Sequence, residues 1–237
     1  MQEPAKTLAV EAFLPTQARR TSWTYPTHVT SELAVMVAPD SVAAHRFVSV
    51  ASQLQHMHVD AGIRSFCFIG DDRNVGTTVV AANVAAAFAL SGQRTILLES
   101  NLRSPRIASM FGLDTTKPGL SDWMAGTGDD QSWAGYMQPA YPNLLVMGAG
   151  NSLKEGEAYL ATELRSLIIE MSRMFDVVIC DCAPMSDVSG TLAVVATVER
   201  TIVVARANRT RMHSLIAFQD VAKNCGGVIG GSILLDF

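Results

Sequence analysis

The sequence predicts a doubly wound α/β domain, a mostly parallel sheet with helices on both faces. Three observations carry that prediction. Short runs that are apolar on both sides, such as residues 65–69 and 94–99, alternate with helical segments, which is the pattern of buried parallel strands joined by crossovers. The chain has 237 residues, 49% of them hydrophobic and 17% charged, so it can bury a core of that size. A glycine-containing loop after the first strand runs straight into a long helix, and ligands of such sheets sit at the carboxyl ends of the strands.

Residues 1–38 read as a flexible N-terminal tail, and residues 39–237 as the domain. The first stretch carries Pro4, Pro15 and Pro26, with Pro39 at the boundary, and no sustained period beyond one short helix around residues 6–13. Trp23 and Tyr25 within it either dock on the domain or a partner, or are idle. From residue 42 the pattern is regular. Residues 42–57 form an amphipathic helix with Val42, Phe47, Val50 and Leu54 on one face. Residues 65–69 form a strand, 77–91 a helix ended by Gly92, and 94–99 the next strand. A pair of short helices falls within 104–126, a strand at 144–147, a long helix at 158–175 and a strand at 176–180. Strand 201–205, helix 211–224 and strand 228–235 close the domain.

Composition narrows the function classes. The formal net charge of −4 leaves no basic footprint for nucleic acid or an anionic membrane. No run reaches the roughly 18–20 apolar residues of a membrane span; the best one, 79–90, is interrupted by Asn83. With no signal-peptide core at the N-terminus, the expectation is a cytoplasmic protein without direct membrane insertion. Cys67, Cys180, Cys182 and Cys225 read as free thiols, since the C-x-C of Cys180 and Cys182 lacks the second pair of a zinc ribbon. His56 and His58, two residues apart on a helix, face different ways and make a poor metal pair.

The chemistry should lie in the loops after the strands. The first reads Gly70-Asp71-Asp72-Arg73-Asn74-Val75-Gly76-Thr77-Thr78. Backbone N–H groups there, backed by a helix N-terminus, can cradle phosphates. A working P-loop reads G-x-x-x-x-G-K-[ST]: Gly76 holds the second glycine, Thr77 stands where the lysine belongs and Thr78 where a hydroxyl would ligate magnesium, while the first glycine position is Asp71. Further loops read ILLESNLRSPR (96–106), FGL (111–113), GLSDWMAG (119–126), FDVVICDCAP (175–184) and VVARANRTR (203–211). In that order they resemble the motifs of the bacterial tyrosine kinases of polysaccharide export, from about Val42 to Phe237.

That resemblance implies a P-loop NTPase-like fold of the MinD/ParA-like branch. It implies Mg-ATP or ADP as cofactor and an inner-membrane polysaccharide co-polymerase or export protein as partner, with self-association. It marks Asp181 and Glu99 as catalytic acids, and Gly76, Thr77, Thr78, Arg73, Asn101 and Arg206 as nucleotide contacts. Thr78 and Asp181 would hold magnesium. The departures concentrate in the same places. Thr77 removes a charge-assisted contact worth about 1.5–3 kcal/mol, and Asp71 and Asp72 add negative charge that Arg73 would have to offset. The two family acids of the second motif fall at Glu99 and Asn101, and an amide cannot act as a base. The ring-forming E-x-x-R-x-x-R aligns with Ala43, Arg46 and Ser49, and the tyrosine cluster is absent: the tyrosines are Tyr25, Tyr136, Tyr141 and Tyr159. The leading expectation is a pseudokinase acting through partner binding, with Arg103, Arg106 and Arg211 beside the old site. The alternatives are an active kinase with a rewired site and a MinD/ParA-like positioning ATPase.

Overall fold

In the computed structural model, residues 24–126, 133–152 and 161–236 are described. Elements follow in chain order: α1 (Ala34–Val37), α2 (Val42–Met57), β1 (Ser65–Gly70), α3 (Thr77–Leu90), β2 (Thr95–Glu99), α4 (Ile107–Met110), α5 (Leu120–Met124), β3 (Gln138–Tyr141), β4 (Leu144–Met147), α6 (Ala161–Met174), β5 (Val177–Asp181), α7 (Val188–Val195), β6 (Arg200–Arg206), α8 (Met212–Asn224) and β7 (Ile229–Leu235). Seven strands form one sheet in the order β3-β4-β2-β5-β1-β6-β7. All pairings are parallel except β3 with β4.

Strand alternation splits the core into two layers, as a doubly wound sheet requires. On one face Phe66, Phe68, Leu97, Ile179 and Ile202 meet α1, α2 and α3. On the other, Cys67, Ile69, Ile96, Leu98, Val178 and Cys180 meet Leu167 and Met171 of α6 and Phe218 of α8. The registers Cys67↔Cys180 and Leu97↔Ile179 keep these sets aligned. At the far end from the site, Asp176 fixes the sheet: its carboxylate accepts from Arg94 Nε at 2.9 Å and Nη2 at 2.7 Å. Glu199 likewise accepts from the Arg64 and Ser65 amides at 2.7 and 3.0 Å.

Over the described residues the helix and strand alternation matches the expectation within a residue or two, with four differences; the expected start of the long helix at 158–160 lies outside the described residues. Strand β3 and helix α7 are additions. Val42 is exposed, because at the first helical position it precedes the packed face; Ala44, Ala51 and Leu54 are the buried residues of α2. The expected tail ends earlier than residue 38: Leu33 and Val35 are fully buried in the first core layer, and Tyr25 packs against the second. The cause is Asn83, which the sequence presented as a polar interruption. Its Oδ1 accepts from the Val35 amide at 3.1 Å, and its Nδ2 donates to the Glu32 and Val79 carbonyls at 2.8 Å each. It supplies the backbone partners that a buried segment must have. The Thr30 amide also donates to the Met110 carbonyl at 2.9 Å, so residues 24–38 form a strap across α3 and α4. The helix expected at 6–13, Trp23 and Tyr159 lie outside the described residues. No helix among the described residues is long and apolar enough to cross a membrane.

Candidate functional site

The carboxyl ends of β1, β5 and β6 open on a cleft of about 610 Å³. The loop after β1 shapes it. Gly70 has no room for a side chain: a Cβ there would lie 2.2 Å from Val75 Cγ2 and 2.6 Å from Thr77 Oγ1. Asn74 and Gly76 take φ of 63° and 104°, left-handed values that suit an asparagine and a glycine. Gly76 then caps α3, whose first turn carries Thr77 and Thr78 and directs backbone N–H groups into the cleft.

The six residues expected as nucleotide contacts line this cleft together, Arg73, Gly76, Thr77, Thr78, Asn101 and Arg206, and Arg106 lines it with them. Asp72 lines it too, with Oδ1 accepting from the Arg73 amide at 2.7 Å. Asp71 does not; its Oδ1 accepts from the Thr210 hydroxyl at 2.8 Å, so only one of the two expected acidic neighbours faces the cleft. Arg206 also donates to the Asn74 carbonyl at 3.3 Å, bracing the loop from β6. Sequence reasoning missed Gly70, Phe47 and Glu32 as parts of the site. Gly70 sat in plain view one position before the expected first glycine.

Asp181 and Glu99 are brought side by side as register partners at the ends of β5 and β2, but beneath the cleft rather than on its wall. Asp181 is completely buried and neither carboxylate oxygen has a hydrogen-bond partner. Burial pushes its pKa up to about 8; the Thr78 hydroxyl pulls it back, although outside hydrogen-bonding geometry, while the charge of Glu99 raises it and that of Arg106 lowers it. At neutral pH the group is therefore mostly protonated. Glu99 is 1% exposed and spends its carboxylate on backbone, accepting from the Arg106 amide and from the Ile107 amide at 2.6 Å. It caps α4 and borders a separate cavity of about 140 Å³. Burial raises its pKa and these amides oppose the rise.

The remaining candidates have ordinary structural partners. Arg103 pairs with Asp187 at 3.1 Å, and Arg211 sits at the N-cap of α8. Cys182 borders the cleft yet is 3% exposed, and burial drives its thiol well above the usual range, which suits a core thiol and not a nucleophile. His56 lies 3.7 Å from Asp60, and His58 Nε2 is 3.1 Å from the Gly230 carbonyl. Ala43, Arg46 and Ser49 share an exposed face of α2.

A buried, unpartnered carboxyl beneath a threonine hydroxyl and a ring of helix N–H groups fits a magnesium-bound phosphate. The place of the P-loop lysine does not fit, because Thr77 offers no charge there.

No protein-family model matches the chain. Over 198 residues it is 25% identical to the tyrosine-protein kinase ptk of Acinetobacter johnsonii, a match covering 83% of this chain and 27% of that one. In sequence this chain is similar to proteins named tyrosine-protein kinases from several bacteria. Another relative of this kinase-like chain is the succinoglycan biosynthesis transport protein ExoP of Rhizobium meliloti, 28% identical over 183 residues, covering 74% of this chain and 22% of ExoP. The chain thus spans about a quarter of the length of these two relatives. Among solved structures, the kinase domain of Escherichia coli tyrosine kinase ETK superposes with a TM-score of 0.80 at 21% identity, over 97% of this chain and 87% of that one. The septum site-determining protein MinD of Pyrococcus horikoshii, complexed with Mg-ADP, gives 0.62 at 19% identity, over 72% and 69%. The fold is that of the kinase domains and of MinD-type P-loop ATPases.

Proposed function

We propose that this kinase-like domain is a regulator of polysaccharide production and export that acts through partner binding and is a weak or inactive phosphoryl-transfer enzyme. One observation carries the reading: the phosphate end of the cleft has no lysine, and its two acids are withdrawn. Thr77 is neutral, Asp181 is buried with its pKa near 8, and Glu99 is committed to the α4 amides. Phosphoryl transfer depends on positioning and charge neutralisation, so losing these groups removes the main source of rate. Among the described residues the tyrosines are also withdrawn: Tyr136 is 5% exposed and Tyr25 and Tyr141 are half-buried.

Magnesium, when bound with nucleotide, neutralises phosphate charge, and the Thr78 hydroxyl and the Asp181 carboxylate would hold it. In this reading the domain works in the cytoplasm, recruited to the inner membrane by a co-polymerase or export protein. Isothermal titration with Mg-ATP should give affinity much weaker than an intact P-loop, and incubation with ATP should leave every tyrosine unmodified by mass spectrometry. Stoichiometric phosphotyrosine that disappears in Asp181→Asn would refute the reading.

A working kinase with a rewired site is the second reading. It is favoured by three arginines, Arg73, Arg106 and Arg206, on the cleft wall. Sub-micromolar Mg-ATP affinity in the same titration would favour it.

A further inference from the structure

Among the three cleft arginines, Arg106 is placed differently from the rest. It is the first residue before α4 and it lines the cleft together with Thr77 and Thr78. It is already engaged: Nη2 lies 2.7 Å from the Glu32 carboxylate, with the two side chains 50% and 39% exposed. Glu32 also lines the cleft. It belongs to the strap, and its carbonyl is held by Asn83 of α3 at 2.8 Å. A carboxylate on a segment fastened to the loop-bearing helix thus occupies one of the cations that share the cleft with Thr77.

We infer that Arg106 is the phosphate-directed cation of this cleft, in place of the charge absent at Thr77, and that Glu32 on the strap is a built-in competitor which a polyphosphate ligand must displace. The inference rests on the reading of the cleft as a degenerate nucleotide site. The chemistry is an exchange of partners. In the unliganded protein one Glu32 carboxylate oxygen accepts from Nη2 of the guanidinium; a phosphate, with more charge and a pair of oxygens that can accept two parallel N–H bonds, takes the guanidinium over. The freed Glu32 is already half in solvent, so its release costs little. Because the strap is also bonded to α4 through Thr30 and Met110, anything that shifts the strap changes the competitor's grip. That makes the cleft's anion affinity a property a strap-binding partner can tune.

The test is a double-mutant cycle read by calorimetric titration in low salt, with magnesium-ADP and inorganic tripolyphosphate as probes. Relative to wild type, Glu32→Gln should bind tripolyphosphate about fivefold more tightly, the scale of one half-exposed ion pair. Arg106→Gln should bind about tenfold or more weakly, and Arg106→Lys should recover part of the loss. In Glu32→Gln/Arg106→Gln the gain seen with Glu32→Gln alone should vanish. Raising the salt should shrink every difference. The Arg106 amide that caps Glu99 is backbone and survives all these changes, and unchanged circular dichroism and melting would verify the fold. If wild type binds too weakly to titrate, the same cycle is run on Thr77→Lys.

A gain that persists without Arg106, or no gain in Glu32→Gln on either background, overturns the inference. Tripolyphosphate binding with no response to magnesium-ADP marks the cleft as a polyphosphate site and leaves the exchange standing. The pseudokinase reading fails separately, on phosphotyrosine formation, whatever the cycle gives.

Discussion

Replacing Asp181 with asparagine should stabilise the unliganded protein, and increasingly so as pH rises. A carboxyl whose folded pKa lies above its unfolded value keeps a proton in the native state that the unfolded chain releases. Folding is then unpenalised below the unfolded pKa and loses stability as pH climbs towards the folded one. With values of 3.8 unfolded and about 8 folded, each unit between them costs about 1.4 kcal/mol. The cost of keeping Asp181 therefore grows by roughly 4 kcal/mol from pH 5 to pH 8. Asparagine has nearly the same shape and no charge at any pH, so it removes that slope and keeps the volume. For a domain of this size 1 kcal/mol moves the melting temperature by about 2–4 °C. Melting followed by circular dichroism in magnesium-free buffer should show Asp181→Asn ahead by a few degrees at pH 5, where about one unit of the penalty is already present, and by roughly 10 °C more at pH 8. An offset that stays constant across this range, or a variant that falls behind at pH 8, would mean that Asp181 is ionised and compensated, and the account of the withdrawn acid would fail.

Three other perturbations test other parts of the structure. Thr77→Lys should tighten Mg-ATP by about tenfold or more, since it adds a charge-assisted contact free of the competition that Glu32 imposes on Arg106; a titration showing no change means that the cleft arginines already meet the phosphates unopposed. Asn83→Leu leaves the Val35 N–H and the Glu32 carbonyl buried without partners, for about 2–4 kcal/mol. Urea unfolding should show that loss, and limited proteolysis should cut faster within residues 24–38; an intact strap would refute the clamp. Asp176 is held below its usual carboxylate range, chiefly by its hydrogen bond from Arg94, so its contribution is present above the unfolded pKa and fades as pH falls through the lower folded one. Asp176→Asn should cost about 1 kcal/mol at pH 7 once solvent screening of the half-exposed arginine is allowed for, and the gap should narrow as pH falls below the ordinary carboxylate range. A gap that is unchanged at pH 2.5 contradicts this assignment.

The alternation of elements was legible because buried strands and long helices each repeat one period over many residues. Strand β3 was not, because Gln138-Pro139-Ala140-Tyr141 lacks β-branched residues and holds a proline. It is tolerated at the edge of the sheet, where it pairs only with β4. Helix α7 hid behind Gly190 and its valines. The four residues of α1 are helical only because Asn83, 48 positions on, receives the Val35 amide. Within the site, motif spacing located six of the cleft residues, since a loop between a strand and a helix fixes its own geometry. Partnerships across long separations carried no sequence signal. Glu32 meets Arg106 across 74 positions, and the cap of Glu99 on α4 depends on a loop that returns the amides seven and eight residues ahead to its carboxylate.

Helix α3 has Val80 through Ala89 buried without interruption, a wall of small side chains with α1 and α2 on one side and the sheet on the other. Such a helix has no soft direction: rolling or sliding it by even an ångström would open voids or force overlaps along its whole length. The rod behind Thr77 and Thr78 is therefore a fixed anvil. Whatever occupies the cleft must be accommodated by the two flanking loops, 71–76 and 100–106, and by the strap, so any signal that leaves the site leaves through those three segments and not through the core.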